Sequence, residues 1–484
     1  MPRSRSGALA AASLVLLLAG CAKSTTTAPV AEDPYEAAIG TFGLVPLPPL
    51  PYPANNYFNA ERVALGQLLF FDPILGGESA PWVKIAANKD PYRYRANDVA
   101  CATCHHPRFA FADGRRLGAG VGGAQFNDTD LGPQRVVPGR SLISPFLPVG
   151  QEPRNSPTVL NTACNGQNTT LPTAVGFQFM DGRALGLETQ AKLPITSRDE
   201  MAGDAYGRDI LGPALTAQAI QDSVAKRVAG IPEYVERFKQ AFPGEITQAS
   251  DITIDHVARA IAAFERELVT PGARFDRFIV GDRGAYSEIE KQGFLLFFGK
   301  GECGDCHGGP MLSDFTFRVQ GVGDAYPPGV LGKDGNGHDF GRFHADPVQF
   351  ANQKYAFRVL SVRNVGPTAP YFHSGSAGTL REVVEFYNRG GQGPQDISDA
   401  DLQAAGQQRD ASIHPLNLTE AEIDAIVAFM RTATSEVSGG ALGSDLVAVP
   451  QRVPSGLLPP GVPTPPGPGP FLMPSHASKV ALAR

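Results

Sequence analysis

The sequence predicts a mainly α protein built as two domains with long loops. A chain of 484 residues exceeds one ordinary hydrophobic core, which favours two domains. Apolar residues recur at helical spacing in several segments. The 54 glycines and 42 prolines favour long irregular connections between the helices. A pentapeptide of the form Cys-x-x-Cys-His also occurs twice, about two hundred residues apart.

The amino-terminal stretch has the features of an export signal. Arg3 and Arg5 precede a short apolar run, and Leu18-Ala-Gly-Cys21 resembles a bacterial lipoprotein cleavage site. The run is too short to span a bilayer. We expect a signal peptide over residues 1–20 and a lipid on Cys21 that anchors the protein on the periplasmic side of a membrane. A cleaved ordinary signal with an incidental Cys21 is the alternative.

The first predicted domain covers residues 57–204 and follows a tether. Residues 21–56 are polar and then rich in proline, as expected of a tether or an extended arm. The first helix of the domain should begin after Asn59, which is a favourable N-cap residue. Residues 107–153 are rich in glycine, proline and aspartate, and this composition predicts a loop.

The second predicted domain covers residues 205–435 and is mostly helical. One helix carries an apolar stripe formed by Val257, Ile261, Phe264 and Leu268. Thr379 and Thr419 each open a capping box ahead of a further helix. Residues 436–484 are rich in proline and glycine, which predicts a disordered tail.

The two pentapeptides predict the cofactor. Cys101-Ala-Thr-Cys104-His105 and Cys303-Gly-Asp-Cys306-His307 match the attachment signal for c-type haem. The two thiols form thioethers with one haem edge, and the adjacent histidine reaches the iron. Zinc or disulfides are the alternative, although zinc needs four ligands and no further Cys or His pair lies near either motif. Cys164 is left over and is expected to be a small buried hydrophobe.

Composition excludes some partners. The net charge is −6, and 42% of the residues are hydrophobic, as in ordinary globular proteins. A nucleic-acid partner would call for a basic stripe, which the sequence lacks. We therefore expect no nucleic-acid partner, and contact with a membrane only through the lipid on Cys21.

Several further strings carry a family resemblance: Leu65-Gly-Gln-Leu-Leu-Phe-Phe-Asp72, Arg154-Asn-Ser-Pro-Thr158, Asp181-Gly-Arg183, Gln190 to Met201, Arg363-Asn364, Thr368-Ala-Pro-Tyr-Phe-His373 and Thr379 to Gly391. Together with the first pentapeptide, they make residues 58 to 434 resemble the bacterial di-haem cytochrome c peroxidases and their MauG-like relatives. The resemblance implies two cytochrome c-like α domains, each binding one covalent haem. The first haem would meet peroxide and the second would store an oxidising equivalent.

The resemblance also implies a peroxide pocket at the first haem. Its Gln, Pro and Glu, at offsets of +4 and +10, correspond to Gln190, Pro194 and Glu200. A carboxylate there can move a proton between the peroxide oxygens; a solvated surface acid is the alternative for Glu200. Many relatives close the iron with a distal histidine, but no histidine lies between His106 and His256. An open, five-coordinate first haem is therefore expected.

The far side of the second haem is assigned by the same resemblance. Peroxidases of the family place a methionine at the ninth position of a string beginning Thr-Leu, and here that position is Tyr387, as in MauG-like enzymes. A phenolate favours ferric and higher iron states. The alternative is a core Tyr387 with Met311 or Met430 as the ligand.

Two further expectations come from the resemblance. A Ca²⁺ ion commonly lies between the domains, and its ligands map to the Asn155 side chain and the Thr368 and Pro370 carbonyls. The family's inter-haem tryptophan is replaced by Met180, a poorer carrier of an electron hole. Either Phe179 or tyrosines substitute for it, or the haems couple more slowly.

Three functions follow from these expectations. The first is reduction of hydrogen peroxide with electrons from a small donor protein, a cytochrome c or a cupredoxin. The second is MauG-like oxidation of side chains on a partner protein, which Tyr387 favours. The third is a non-catalytic di-haem electron-transfer lipoprotein, which would need two six-coordinate irons. Peroxidases of the family often form homodimers, so a homodimer is a further expectation.

Overall fold

A computed structural model describes residues 33–77, 99–117, 153–203, 215–324, 334–434, 447–457 and 459–460. This part of the chain is rich in helix and contains two short pairs of strands, as expected of a mainly α protein. Within these ranges no helix is long and apolar enough to cross a membrane. The predicted signal peptide over residues 1–20 and Cys21 lie outside the described residues.

The helices run in the order α1 (Pro34–Thr41), α2 (Ala60–Phe71), α3 (Cys101–Cys104), α4 (Leu187–Gln190), α5 (Leu193–Thr196), α6 (Ala217–Ala229), α7 (Pro232–Ala241), α8 (Ile254–Glu267), α9 (Arg274–Ile279), α10 (Glu288–Phe297), α11 (Leu380–Asn388), α12 (Asp399–Ala404) and α13 (Glu420–Thr432). A π-helical turn covers Arg198–Ala202, and a 3₁₀ turn covers Cys303–Asp305. Strands β1 (Phe177–Gln178) and β2 (Ala184–Leu185) pair antiparallel, as do β3 (Phe317–Val319) and β4 (Ala356–Arg358).

The first hydrophobic cluster is centred on the crossing of α2 and α8. Asn59 caps α2 as predicted, since its side-chain oxygen accepts the Arg62 N–H at 2.7 Å. Gly66 lies at the crossing, where a Cβ would stand 1.9 Å from the carbonyl oxygen of Ala260 and 2.9 Å from the Cβ of Phe264. The two helix backbones therefore approach too closely for any residue larger than glycine.

The second hydrophobic cluster repeats this construction with α10 and α13. A Cβ on Gly293 would stand 1.9 Å from the carbonyl oxygen of Ala425. Around the crossing, the Phe429 ring lies 5.6 Å from the Phe294 ring and 4.9 Å from the Phe297 ring. Both clusters are thus organised by a pair of helices that meet at a glycine.

Both predicted capping boxes are confirmed. The Glu382 N–H donates to Thr379 Oγ1 at 3.2 Å, and the Glu382 carboxylate accepts the Thr379 N–H at 3.0 Å. Thr419 and Glu422 make the same exchange at 3.3 and 2.8 Å. These boxes set the first turns of α11 and α13.

The first cluster continues past the predicted domain boundary at residues 204/205. Helices α6, α7 and α8 contribute Val224, Phe238 and Ile261 to it. Apart from the amino-terminal arm, the second cluster begins with Ala273. The first cluster therefore includes residues of α6, α7 and α8, because α8 supplies the surface against which α2 packs. That pairing is long-range and leaves no local signal in the sequence.

Residues 34–56, predicted as part of a tether or an extended arm, lie against the rest of the protein as an arm. The Tyr35 ring meets the Phe278 ring edge-on, with centroids 5.2 Å apart. The Phe42 carbonyl accepts the N–H of Gly309 at 2.8 Å, just after the second pentapeptide. Tyr52 then donates to Glu267 at 2.5 Å. Aromatic residues among the prolines give this arm a face to bury.

Part of the predicted disordered tail, residues 447–457, also packs on the protein. Val453 is fully buried in the first cluster, with Val447 and Val449 packed beside it. Ser455 Oγ donates to Asp72 Oδ1 at 2.6 Å. Spaced valines allow this proline-rich stretch to pack against the first hydrophobic cluster, which composition alone does not predict. The remainder of 436–484, apart from 459–460, lies outside the described residues.

Candidate cofactor site

One cavity of about 810 Å³ is lined by both pentapeptides. Its wall also includes the other residues expected at the site, namely Gln190, Pro194, Glu200, Tyr387, Asn155, Thr368 and Pro370, together with Met180. Residues far apart in the sequence are thus brought to one place in the fold.

The first pentapeptide presents a metal-binding nitrogen to the cavity. Cys101–Cys104 form α3, and His105 follows at its end. His105 Nδ1 lies 3.1 Å from the carbonyl oxygen of Phe111, whose backbone turns back in the left-handed region with φ 58°. A carbonyl only accepts hydrogen bonds, so Nδ1 carries the proton and Nε2 keeps its lone pair for a metal. Burial lowers the pKa of His105, which keeps the ring neutral as a ligand must be.

The second pentapeptide is built the same way. Its first three residues form the 3₁₀ turn Cys303–Asp305. His307 Nδ1 lies 2.9 Å from the carbonyl oxygen of Leu312, again a residue with positive φ, here 50°. Burial lowers the pKa of His307. In each of the two loops, a backbone carbonyl that lies near Nδ1 therefore orients the imidazole ring.

The cysteines beside these histidines suit thioether attachment better than zinc. Cys101, Cys104, Cys303 and Cys306 form no disulfide. Burial raises the pKa of Cys101 and raises that of Cys303 to about 12, so both are protonated thiols at neutral pH. Among the described residues there is no group of three or more His, Cys, Asp or Glu placed to hold a metal ion. The leftover Cys164 is fully buried, as expected of a small hydrophobe.

The predicted peroxide-pocket residues come from three consecutive short elements. Gln190 ends α4, Pro194 lies in α5, and Glu200 lies in the π-helical turn Arg198–Ala202. Arg183 Nη2 stands 3.8 Å from Glu200 Oε1, and the side chain of Glu200 is 19% exposed. Glu200 is therefore a cavity acid beside a cation, rather than a freely solvated surface residue.

Tyr387 reaches the cavity from the end of α11. Its hydroxyl accepts a hydrogen bond from Gln320 Nε2 at 2.8 Å. Burial raises the pKa of Tyr387, so a phenolate there requires a nearby cation such as ferric iron. The alternative ligands Met311 and Met430 line the same cavity, and Met311 packs in a small cluster with Cys164.

The three expected calcium ligands offer oxygen atoms on the cavity wall. Asn155 Nδ2 donates to the Arg115 carbonyl at 2.7 Å, which fixes the amide and leaves Oδ1 as its cation-binding atom. Thr368 and Pro370 lie on the same wall. Oxygen donors of this kind suit Ca²⁺.

The wall near Met180 contains groups that sequence reasoning missed. Arg154 donates to Asp181 at 2.6 Å and to Asp339 at 2.8 Å, and both carboxylates are buried. The His373 and Phe357 rings stack with centroids 3.8 Å apart. Arg154 opens one of the strings that carry the resemblance, but its two partners are set by tertiary structure.

A second missed residue is Glu265, near the end of α8. It is only 4% exposed and lines the cavity. A signal was available in the sequence: Val257, Ile261 and Glu265 are spaced by four residues, so the acid lies on the apolar stripe of the helix.

Two partly buried histidines, each directly following two cysteines that form no disulfide, line one cavity, and this is the arrangement that a c-type di-haem protein requires. Comparison with known proteins agrees. The sequence profile of the family "Di-haem cytochrome c peroxidase" matches residues 60–284. The methylamine utilization protein MauG of Methylorubrum extorquens is 31% identical over 387 residues, covering 80% of this chain and 82% of that protein.

Two further relatives support the assignment. Cytochrome c551 peroxidase of Nitrosomonas europaea is 30% identical over 334 residues, covering 68% of this chain and 74% of that protein. The crystal structure of a MauG-like protein associated with microbial copper homeostasis aligns with a TM-score of 0.58 at 26% identity, over 84% of this chain and 97% of that one. The chain belongs to the di-haem cytochrome c peroxidase and MauG family. Membership implies two haem c groups, and the residues described above fit them.

Proposed function

We propose that the protein reduces hydrogen peroxide to water with electrons from a small donor protein, a cytochrome c or a cupredoxin. When bound, the haem at His105 supplies an open iron for peroxide and the haem at His307 supplies the relay for electrons. The observation that carries the proposal is that Gln190, Glu200 and His105 line the same cavity. Membership in a family that includes named peroxidases supports it.

Glu200 is the proton carrier in this proposal. Its carboxylate takes a proton from one peroxide oxygen and returns it to the other, which then leaves as water. Arg183, 3.8 Å away, favours the charged form that begins this transfer. The Gln190 amide hydrogen-bonds the peroxide and orients it, while Pro194 shapes the wall without offering an N–H.

The test is the variant Glu200→Gln, assayed as haem-loaded protein with peroxide and reduced cytochrome c. Removing a general acid–base group lowers kcat on the order of 10²–10⁴-fold. Glu288→Gln is the matched control, since Glu288 lies on α10 with its side chain 89% exposed. A high-spin haem in the resting optical spectrum is also expected. Full turnover by Glu200→Gln would remove this residue from the mechanism.

MauG-like oxidation of side chains on a partner protein is the second candidate. The observation that favours it is Tyr387, which lines the cavity at the position of the peroxidase methionine. In that case peroxide would covalently modify a partner protein without any electron donor. Mass spectrometry of proteins incubated with the enzyme and peroxide separates the two activities. Two purely low-spin haems and no turnover would instead favour the electron-transfer lipoprotein.

The remaining assignments belong to the same proposal. A Ca²⁺ ion would be held by Asn155, Thr368 and Pro370, and chelation should then alter the spectrum of the first haem. The protein would act on the periplasmic side, anchored by a lipid on Cys21. Mass spectrometry of the mature protein tests the lipid, and light scattering tests the homodimer.

A further inference from the structure

Glu265 is a buried acid that the proposed chemistry does not yet use. Its side chain lines the cavity, and its Oε2 atom makes no hydrogen bond within the described part of the chain. Leaving a buried polar atom without a partner is costly, so such atoms usually serve a ligand or a reaction. Glu265 thus lies at the wall of the cavity with one carboxylate oxygen unsatisfied.

Within the described ranges no salt bridge joins Glu265 to a cation. Arg266 is the nearest cation in sequence, but it donates to Glu188 at 2.9 Å. Glu188 also accepts from Asn56 at 2.7 Å, so this cluster faces the arm rather than the cavity. Burial raises the pKa of Glu265 to about 8; Arg266 lowers it, and Glu188 raises it slightly. Glu265 therefore holds a proton at neutral pH.

Glu265, Glu200 and Cys101 of the first pentapeptide line the same cavity. After burial, Glu265 is the strongest influence raising the pKa of the Cys101 thiol, and Glu200 contributes in the same direction. The two acids therefore lie near the same cysteine but come from different elements, α8 and the π-helical turn. Ile261, one helical turn before Glu265, also lines the cavity, which places this face of α8 along the pocket.

We propose that Glu265 is a second acid of the peroxide pocket and delivers a proton for the second water. The proposal rests on the peroxidase function above. When the O–O bond breaks, the first water leaves with the two protons of peroxide itself, which Glu200 rearranges. The oxygen that stays needs two electrons and two further protons. The donor protein supplies the electrons, Glu265 supplies one proton through water in the cavity and regains it from solvent, and the second proton comes from solvent directly.

The test compares Glu265→Gln, Glu265→Asp and the control Glu267→Gln in haem-loaded protein of equal haem content. Glu267 is equally buried and lies on the same helix, but Tyr52 binds it and it does not line the cavity. Glu265→Gln keeps the shape and removes the transferable proton. Its turnover at pH 7 should fall about 10- to 100-fold. Glu265→Asp should retain more of the rate, and Glu267→Gln nearly all of it.

A second readout does not depend on turnover. The infrared spectrum of the wild type at pH 7 should show the carbonyl stretch of a buried protonated carboxyl group, and this band should shift in D₂O. The spectrum of Glu265→Gln should lack the band. The band should fade as pH rises through about 8, and the wild-type rate should fall over the same range. Glu265→Gln should lack this alkaline limb.

The outcomes separate the inference from the proposed function. If the wild type turns over and Glu265→Gln keeps both the rate and the alkaline limb, the inference is overturned and the peroxidase function stands. If the wild type consumes no peroxide with any donor, the proposed function fails and the proton-delivery role falls with it. Loss of the band and of the limb together, with the control unchanged, supports the assignment.

Discussion

The crossing of α2 and α8 gives the sharpest stability prediction. In Gly66→Ala the new Cβ would stand 1.9 Å from the Ala260 carbonyl oxygen, about 1.5 Å closer than ordinary contact. The clashing atom belongs to a helix backbone, so it cannot turn aside as a side chain can. Overpacking of this kind costs about 1–3 kcal/mol, and the upper end applies here. The higher helix propensity of alanine offsets up to about 1 kcal/mol of this cost, so the free energy of unfolding should fall by about 2 kcal/mol.

Thermal unfolding of the haem-loaded protein, followed by circular dichroism, measures this loss. For a domain of this size, about 2 kcal/mol lowers the melting temperature by roughly 4–8 °C. Gly40→Ala is the matched control, because Gly40 also lies in a helix and a Cβ there would meet nothing within 4 Å. That variant should melt at or slightly above the wild-type temperature. If Gly66→Ala melts with the control at equal haem content, the close crossing is not as described.

Three further predictions concern single side chains. Tyr387→Phe should alter the spectrum of the second haem alone, and an unchanged spectrum would remove this residue as a ligand. Arg154→Met removes the cation that bridges the buried Asp181 and Asp339 and leaves Arg183 as the arginine paired with Asp181, so chemical unfolding should show a loss of about 3 kcal/mol at pH 7. Burial alone would raise the pKa of Asp181, but the neighbouring arginines lower it. The ion pair between Arg154 and Asp181 therefore stabilises the fold above about pH 4. The difference in the free energy of unfolding between Arg154→Met and the wild type should become smaller in more acidic solution. Val453→Ala should lower stability by about 1–2 kcal/mol, whereas no change would contradict the burial of residues 447–457 in the core.

Local features of the fold were predictable because their causes are local. Asn59, Thr379 and Thr419 begin helices through hydrogen bonds to residues three positions ahead, so the sequence contains both partners. The pentapeptides are equally local, since the thiols and histidine of each site lie within five residues. The structure adds only that a carbonyl five or six residues later orients each ring.

Long-range packing explains what the sequence did not predict. The extension of the first cluster beyond residue 204 was not foreseen, because Gly66 finds its partner nearly two hundred residues away on α8. Glu265 was overlooked because an acid on an apolar stripe has meaning only once the cavity beside it is known. The segment with Val453 was expected to be disordered because proline-rich composition conceals three spaced valines.

A distant part of the chain lies next to the second pentapeptide, and another lies next to the residue that follows the first pentapeptide, with consequences for how the protein matures. The Phe42 ring lies against Gly304, where a Cβ would come within 2.7 Å of it, and the carbonyl of Pro460 lies beside His106. Covalent attachment of haem needs access to the thiols. Residue 460 is synthesised long after the loop at Cys101, so its contact with His106 forms late. The loop at Cys303 is synthesised after Phe42, so the arm that contains Phe42 is already present when this loop is made. Attachment of a haem at Cys303 would then either precede the docking of the arm or require its displacement.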